Sequence, residues 1–315
     1  MADPLHLKEP ARAVGATLTL WRFRDGKPGH ERQTAGLIAA LAKHRQLRVH
    51  DVDVRQRRVP LRHWLSRYFD RPPGIPNPDF LIGAGRACQW PMVVARRAVG
   101  GRAVYCMKPG LPVGCFDLCF IPQHDGVRRS QRIEPTLGVL NDIAARPPDQ
   151  PGDRVLVLVG GPSRHHDWKE EEFFDRLQSL LSHIEGPVVL ADSRRTPASS
   201  RRRLATLAGD EVTYVACDSV ADGWLGATLP RAREVWVSED SVSMIFEALT
   251  AGVPVGMLPV PARRRDRISR LAPLLQHSGK VTGLAAWLRG EALKAPSPPL
   301  AEAARCAEVL LERFG

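Results

Sequence analysis

A polar turn between an apolar strand and a short apolar helix carries the clearest chemical signal in this sequence, within Ser238–Pro259. Apolar residues recur at helical spacing after Ser243 and predict a helix that ends before Gly252. In an open α/β sheet, ligands bind where a strand ends and the next helix begins. The unpaired N–H groups and the dipole of such a helix favour an anion. The alternative is an ordinary strand–helix connection that is capped by Asp240, Ser241 or Ser243.

Two glycine-containing loops follow apolar strands, one in each half of the chain. In the first loop, Gly26 and Gly29 permit a tight turn, and His30 is a candidate base or anion-binding group. The alternative for this loop is a Gly-Pro turn with a solvated histidine. The second loop can cradle phosphate oxygens through Gly160, Gly161, Ser163 and Arg164. It matches neither a P-loop nor the G-x-G-x-x-G pattern, which disfavours a Rossmann-type dehydrogenase.

Polar and cationic residues follow three more predicted strands. Arg86 comes after a strand–glycine junction, where its guanidinium can reach a phosphate or a carboxylate, although a plain turn explains it equally well. His124 and Asp125 end another strand and form either a polar site or an Asx turn. A third strand is followed by Ser193, Arg194 and Arg195. We predict no metal site, because the adjacent histidines at 165 and 166 are poorly spaced to converge on one ion.

Strands that alternate with helices must position all of these residues. The alternation predicts an α/β fold with doubly wound parallel sheets. The Pro-rich segment Ala145–Gly152 lacks periodicity and is the best candidate for a linker. We therefore expect two Rossmann-like domains, at residues 17–146 and 153–290, that face each other across a cleft. A flexible tail at residues 1–16 precedes them. A helix at residues 300–314 follows them and is expected to pack back on the N-terminal domain.

A basic segment with regularly spaced apolar residues occupies Arg55–Asp70. Its apolar residues Leu61, Trp64, Leu65, Tyr68 and Phe69 recur at helical spacing. This pattern predicts an amphipathic helix that covers the sheet. The alternative is a contact with a membrane surface.

The composition is that of a globular protein with an excess of positive charge. The chain has 315 residues, 43% of them hydrophobic, and a formal net charge of +11. Such a charge favours anionic partners, among them nucleotides and anionic membrane surfaces. No nucleic-acid-binding motif is visible, so we expect no nucleic-acid partner. The first 16 residues lack the apolar core of a signal peptide, which favours a cytoplasmic location, peripheral at the inner membrane if a membrane is contacted.

Several of these motifs, in this order, resemble the mitochondrial fission (elongated-mitochondria) family. The resemblance extends from about Thr17 to about Gly279. It is carried by Asp25–His30, Gly85-Arg86, Pro122 with His124-Asp125, Gly160–Ser163, Ser193–Pro197, and Asp240–Met244 with Glu247-Ala248. That family is similar to GT-B glycosyltransferases, which have two Rossmann-like domains on either side of a cleft.

The resemblance to GT-B enzymes implies roles for individual residues. Ser241–Pro254 is similar to the donor motif of the peptidoglycan N-acetylglucosaminyltransferase, in which a glutamate on the helix holds the ribose hydroxyls. Glu247 matches that glutamate. The resemblance further implies that the diphosphate or sugar meets Ser241, Ser243 and Met244, and that Gly160, Gly161 and Ser163 line the same pocket.

The sequence therefore favours a nucleotide-sugar glycosyltransferase, with the nucleoside diphosphate sugar as substrate and no cofactor. The nucleotide is expected in the C-terminal domain, and a lipid-linked acceptor suits the basic N-terminal domain. His30 is the first candidate for the base, followed by His124 and Asp125. The charge of the leaving diphosphate is offset by Arg164, Arg194 and Arg195. Two alternatives stay open: a non-catalytic protein-binding factor of the family, and a sugar-nucleotide epimerase.

Overall fold

The computed structural model describes residues 17–71, 73–147 and 149–315. The tail predicted at residues 1–16 lies outside the described residues. Contacts between Cα atoms divide the chain into two units, one that runs to Cys119 and includes Ala304–Gly315, and one that spans Phe120–Ala303. The domain limits predicted at 17–146 and 153–290 stay predictions.

The first six strands form one sheet in the order β2-β1-β3-β4-β5-β6. The strands are β1 Leu18–Arg24, β2 Leu47–Asp53, β3 Phe80–Gly83, β4 Arg102–Tyr105, β5 Leu118–Pro122 and β6 Ile133–Thr136. The pairs from β2 through β5 are parallel. Three helices connect the early strands: α1 Pro28–Ala42, α2 Leu61–Leu65 and α3 Arg86–Val99. The chain passes from the first unit to the second within β5.

The second sheet has six strands in the order β12-β11-β10-β7-β8-β9, and all five pairs are parallel. The strands are β7 Arg154–Leu158, β8 Val188–Ala191, β9 Val212–Val215, β10 Ala232–Ser238, β11 Val255–Leu258 and β12 Thr282–Gly283. The helices that follow β7 in the chain are α4 Glu170–Leu181, α5 Ala198–Thr206, α6 Trp224–Thr228, α7 Val242–Ala251, α8 Leu271–His277, α9 Leu284–Trp287 and, after the second sheet, α10 Glu302–Phe314. The predicted doubly wound α/β fold is therefore confirmed.

Alternating side chains of the central strand β7 pack into two separate hydrophobic cores. Leu156 and Leu158 pack into the core that contains α7. Val155 and Val157 pack into the core that contains α4. Because successive side chains of a strand point to opposite faces, helices cover the sheet on both sides. This explains why the strand sequence is continuously apolar.

The last helix, α10, contributes to the first unit. Its Cys306, Ala307 and Leu310 are buried. The Phe314 ring lies 6.5 Å from the ring of Phe80 in β3, between centroids.

One segment differs from the sequence-based expectation, and a second contacts α7. The helix expected over Arg55–Asp70 is reduced to α2, because Pro60 sets its start and Arg67 has a positive φ of 53°. At the predicted linker, the Arg146 N–H donates to Ala251 O at 2.8 Å, so the start of this segment is bound to the end of α7. Among the described residues, no helix has both the length and the apolar character needed to cross a bilayer.

Gly256 in β11 tests the packing between this strand and β10. A Cβ atom at Gly256 would lie 2.5 Å from the indole of Trp236, which is fully buried. We expect Gly256→Ala to lower the free energy of unfolding by about 1 to 3 kcal/mol, because the indole has little room to move. Urea denaturation followed by circular dichroism measures the change.

Gly209→Ala is the matched control, since no atom lies within 4 Å of the added Cβ there. Equal effects of the two substitutions would contradict the packing described for β10 and β11.

Candidate functional site

The strand order of the second sheet brings two of the predicted loops side by side. From β7 the chain builds the sheet outward through β8 and β9, then returns to place β10 on the other side of β7. The loops after β7 and β10 therefore flank the point where the strand order reverses. Ligands of open α/β sheets bind at such a point, outside the carboxyl ends of the strands. The residue pattern predicted both loops, and their adjacency was expected only from the family resemblance.

Hydrogen bonds join these two loops directly. The Gly160 N–H donates to Ser238 Oγ at 2.8 Å, and the Gly161 N–H donates to Asp240 Oδ2 at 3.0 Å. A Cβ atom at Gly160 would lie 2.1 Å from the Asp240 carboxylate, so only glycine fits. Both N–H groups therefore already have acceptors in the protein, and the expectation that Gly160 and Gly161 cradle phosphate oxygens stays a prediction. Because the two glycines have no side chain, the loops can approach each other closely.

The Asp240 carboxylate is also paired with a cation from a third strand end. Arg195 Nη2 lies 2.7 Å from Asp240 Oδ2, and Arg195 Nη1 donates to Gly161 O at 2.8 Å. The Asp240 side chain is 0% exposed, whereas that of Arg195 is 39% exposed. The negative charge of Asp240 at the start of α7 is therefore neutralised by Arg195.

The remaining predicted residues of the loops after β7 and β8 fall into two groups. Ser163 Oγ accepts the N–H groups of His165 and His166, and the Ser193 N–H donates to Thr196 Oγ1 at 2.9 Å. These serines shape their loops. The side chains of Arg164 and Arg194 are exposed, and neither makes an ion pair within the described part of the chain. These two arginines are available to an anionic ligand.

Helix α7 begins at this point with a buried carboxyl group one turn inside it. Ser241 precedes the helix and makes no capping bond through its side chain. Within the described residues, the N–H groups of Val242, Ser243 and Met244 have no acceptor, as is general for a first helical turn. Ser243 is exposed, and Met244 is buried. Glu247 is 3% exposed and follows Ser243 by four residues, which places both on one face of the helix.

Residues 138–141, termed the crossing segment, and the His124 ring contact α7 from the side. The Phe246 ring of α7 stacks on the His124 ring at 6.3 Å between centroids. A Cβ atom at Gly138, which has a φ of +85°, would lie 2.2 Å from Phe246. Burial lowers the pKa of His124, so its imidazole is neutral at pH 7. The neighbouring Asp125 carboxylate lies 3.1 Å from Arg267 Nη2. The predicted pair thus lies beside α7.

The first sheet has the same kind of reversal, between β1 and β3. His30 in the first turn of α1 has its Nδ1 2.8 Å from Oδ2 of Asp25, which directly follows β1. Asp25 is nearly fully buried, and His30 is partly exposed. Gly85 after β3 has a φ of +89°, and a Cβ atom there would lie 2.3 Å from His30 Nδ1. The loops after β1 and β3 therefore meet at His30.

The Asp25–His30 pair fixes the chemistry that the histidine offers. With its Nδ1–H donated to the carboxylate, the neutral ring presents Nε2 as an acceptor. Residue-by-residue reasoning chose His30 but missed Asp25. The signal available was an aspartate directly after the strand, five residues before the histidine.

Three other residues predicted around His30 contribute unequally. Gly26 has a φ of +74°, which its turn requires, and its N–H donates to Glu31 Oε1 at 3.1 Å. Gly29 has an ordinary φ, and no atom lies within 4 Å of an added Cβ there, so geometry does not demand glycine. Arg86 is exposed at the first position of α3.

Comparison with known families decides the assignment of the chain. Residues 28–314 match the family model described as Mitochondrial fission ELM1. The chain belongs to this family. A search of curated protein sequences found no significant match.

Solved structures show which fold this ELM1-family chain has. A UDP-N-acetylglucosamine 2-epimerase is similar over 95% of this chain and 96% of its own, with a TM-score of 0.56 and 16% identity. A protein from Listeria monocytogenes with a provisional assignment to the same activity gives a TM-score of 0.51 at 14% identity, over 95% of this chain and 90% of its own. A glycotransferase of kitacinnamycin gives a TM-score of 0.50 at 13% identity, over 96% of this chain and 100% of its own. The chain thus has the GT-B-like fold of two Rossmann-like domains, as predicted.

Glu239, beside Asp240 in the ELM1-family chain, carries a second carboxyl group near the start of α7. Burial raises its pKa to about 7 from an ordinary value of 4.5. The Val260 N–H and the Gln276 side chain donate to it over long distances of 3.4 Å. Glu239 is therefore only partly charged at neutral pH. Neither acidic residue of this turn presents a full, unpaired negative charge to an anion.

The raised pKa of Glu239 makes stability depend on pH. The folded state holds the proton of Glu239 up to about pH 7, whereas the unfolded chain releases it near pH 4.5. The free energy of unfolding therefore decreases as the pH rises from 4.5 to 7, and the contribution of Glu239 is constant above pH 7. Glu239→Gln removes the titration. We expect it to raise the free energy of unfolding by roughly 2 to 3 kcal/mol at pH 8 and by much less at pH 5. Urea denaturation at the two pH values measures the difference.

Glu211→Gln, on an exposed residue before β9, is the control and should change stability little at either pH. A gain from Glu239→Gln that does not depend on pH would refute the raised pKa.

Proposed function

We propose that the second unit binds the nucleoside diphosphate part of a nucleotide sugar at the start of α7. The observation that carries this proposal is the start of α7 at the strand-order reversal, with N–H groups that lack acceptors among the described residues. A helix N-terminus offers several N–H groups and a partial positive charge to a phosphate. The exposed Arg164 and Arg194 would add full charges from the neighbouring loops.

The roles implied by the family resemblance fit this placement. Glu247 would accept hydrogen bonds from the two ribose hydroxyls, while Ser241, Ser243 and Met244 would meet the diphosphate or sugar. Ser243 and Glu247 share a face of α7, one turn apart, so a nucleotide that lies along this face would contact both. Arg195 would contribute through its exposed portion while it neutralises Asp240. The names of the similar epimerase structures point to the same ligand class, a UDP-sugar.

We further propose that His30 is the base of a sugar transfer. Deprotonation of an acceptor hydroxyl needs an acceptor nitrogen in a fixed tautomer. Asp25 would hold the Nδ1 proton of His30 and stabilise the imidazolium that forms when Nε2 takes the hydroxyl proton. His124, with its lowered pKa, is the second candidate, with Asp125 beside it. The net charge of +11 favours an anionic, lipid-linked acceptor.

Epimerisation of the nucleotide sugar is the second candidate reaction, and two of the similar structures carry that name. Binding of the nucleotide is common to both reactions, whereas the products differ. Transfer or hydrolysis releases the nucleoside diphosphate, and epimerisation leaves the sugar attached to it. A protein-binding role without catalysis, as the fission family suggests, requires neither.

Nucleotide binding is tested by isothermal titration calorimetry with UDP and with GDP. We expect the wild-type chain to bind at least one of the two. Glu247→Ala should weaken binding by about tenfold or more, because charge-assisted hydrogen bonds contribute about 1.5 to 3 kcal/mol. Glu247→Gln keeps the size of the buried side chain and should show the same direction.

Glu211→Gln serves as the control and should bind as the wild type does. The enzymatic proposal would be refuted if the folded wild-type protein bound no nucleoside diphosphate and no nucleoside diphosphate sugar.

The role of His30 is tested with UDP-N-acetylglucosamine and product analysis by nuclear magnetic resonance. We expect His30→Gln and Asp25→Asn each to slow release of UDP by about a hundredfold or more, the usual contribution of a positioned base. Both variants should keep the UDP affinity of the wild type. Accumulation of the 2-epimer instead of UDP would replace transfer with epimerisation.

A further inference from the structure

Three apolar side chains of the first unit extend into solvent from a firmly anchored segment. Leu61, Leu65 and Tyr68 are 61%, 64% and 51% exposed. Leu61 and Leu65 are four residues apart in α2 and therefore share a face. Large apolar side chains clustered at one exposed place in a globular chain indicate an interaction surface.

Contacts beneath the segment exclude the explanation that it is a loosely placed loop. The buried Phe69 ring packs 6.0 Å from Trp21 and 6.1 Å from Phe23, between centroids. Arg97 lies over the Trp64 ring at 4.2 Å and donates through Nε to Trp64 O at 2.8 Å. Trp64 and Phe69 thus face the unit. Leu61, Leu65 and Tyr68 are left to face outward.

The unpaired charges around these apolar side chains all have one sign. Arg58, Arg62 and Arg67 are exposed and make no ion pair with any residue that the structure describes. The other arginines of the segment are used differently: Arg55 pairs with Asp53, and Arg57 with Asp70. A surface that combines three outward apolar side chains with three unpaired guanidinium groups fits an apolar layer beneath a layer of negative charge.

We propose that this arginine–leucine surface, formed by Arg58, Leu61, Arg62, Leu65, Arg67 and Tyr68, docks the protein on an anionic lipid bilayer. Leu61 and Leu65 would enter the boundary between headgroups and acyl chains, as the apolar face of an interfacial helix does. The tyrosine ring suits the headgroup level, and the guanidinium groups would pair with lipid phosphates. The docking depends only on the first unit and holds whether or not the chain binds a nucleotide.

Co-sedimentation of the full chain with vesicles tests the proposal. We expect the wild type to pellet with vesicles of equal parts phosphatidylcholine and phosphatidylglycerol, and to stay in solution with phosphatidylcholine alone. Raised salt should release it, because the charge attraction is screened. Failure to pellet with the anionic vesicles, or equal binding to the neutral ones, would overturn the proposal.

Two sets of variants separate the charged and apolar contributions. The triple variant Arg58→Gln, Arg62→Gln, Arg67→Gln should bind the anionic vesicles about a hundredfold more weakly, at about fivefold for each arginine. The double variant Leu61→Gln, Leu65→Gln should bind the anionic vesicles at least about tenfold more weakly than the wild type. All five side chains are exposed, so the variants should fold, and thermal melting checks that they do.

The controls carry the same chemical changes elsewhere. Arg128→Gln, Arg202→Gln, Arg289→Gln removes three exposed charges, and Leu274→Gln removes a leucine that is 60% exposed. Both controls should bind as the wild type does, and a loss equal to that of the test variants would contradict the assigned surface. A dimer in sedimentation velocity that the leucine substitutions dissociate, without vesicle binding, would assign the surface to a second copy of the chain.

Discussion

The buried carboxylate of Asp240 is the interaction on which the second unit's candidate site depends. It joins three neighbouring strand ends: its own after β10, Gly161 after β7, and Arg195 after β8. A carboxylate removed from water is tolerable only when a cation and hydrogen-bond donors satisfy it. Loss of Arg195 would leave that charge uncompensated, at a cost of about 3 to 5 kcal/mol. The start of α7 is fixed by the same contacts, since Asp240 lies immediately before Ser241.

The first unit uses a related construction with a different partner. A buried aspartate again follows a strand beside the reversal of strand order, and a glycine again permits the close approach of the neighbouring loop. There, however, the partner of Asp25 is the imidazole of His30. A guanidinium is only a hydrogen-bond donor, whereas an imidazole has a second ring nitrogen that can accept. The pair in the second unit can therefore only hold charge, and the pair in the first unit would be able to take up a proton as the proposed function requires.

Much of the fold was predictable because its signals are local. Apolar strands bounded by glycine and proline, alternating with amphipathic helices, identify doubly wound sheets without any long-range information. The adjacency of β7 and β10 is not local, since 73 residues separate Arg154–Leu158 from Ala232. For that reason the hydrogen bonds that Gly160 and Gly161 donate to Ser238 and Asp240 could not be predicted from the local sequence. Asp25 was missed for a related cause, because its role appears only once the turn brings it against His30.

The rigidity of α7 limits how a ligand can be selected at its N-terminus. Seven of its ten residues are buried, and Asn141 of the crossing segment donates to Thr250 near its end at 3.0 Å. A helix held in this way cannot shift toward a ligand, so its N–H groups and dipole are oriented before binding and cost no reorganisation. Under the proposed function, this fixed element would contribute affinity through the diphosphate, which every nucleoside diphosphate shares. Discrimination among bases and sugars would then come from the exposed side chains of the loops around it, of which Arg164 and Arg194 are the nearest in sequence to the glycine pair and to Arg195.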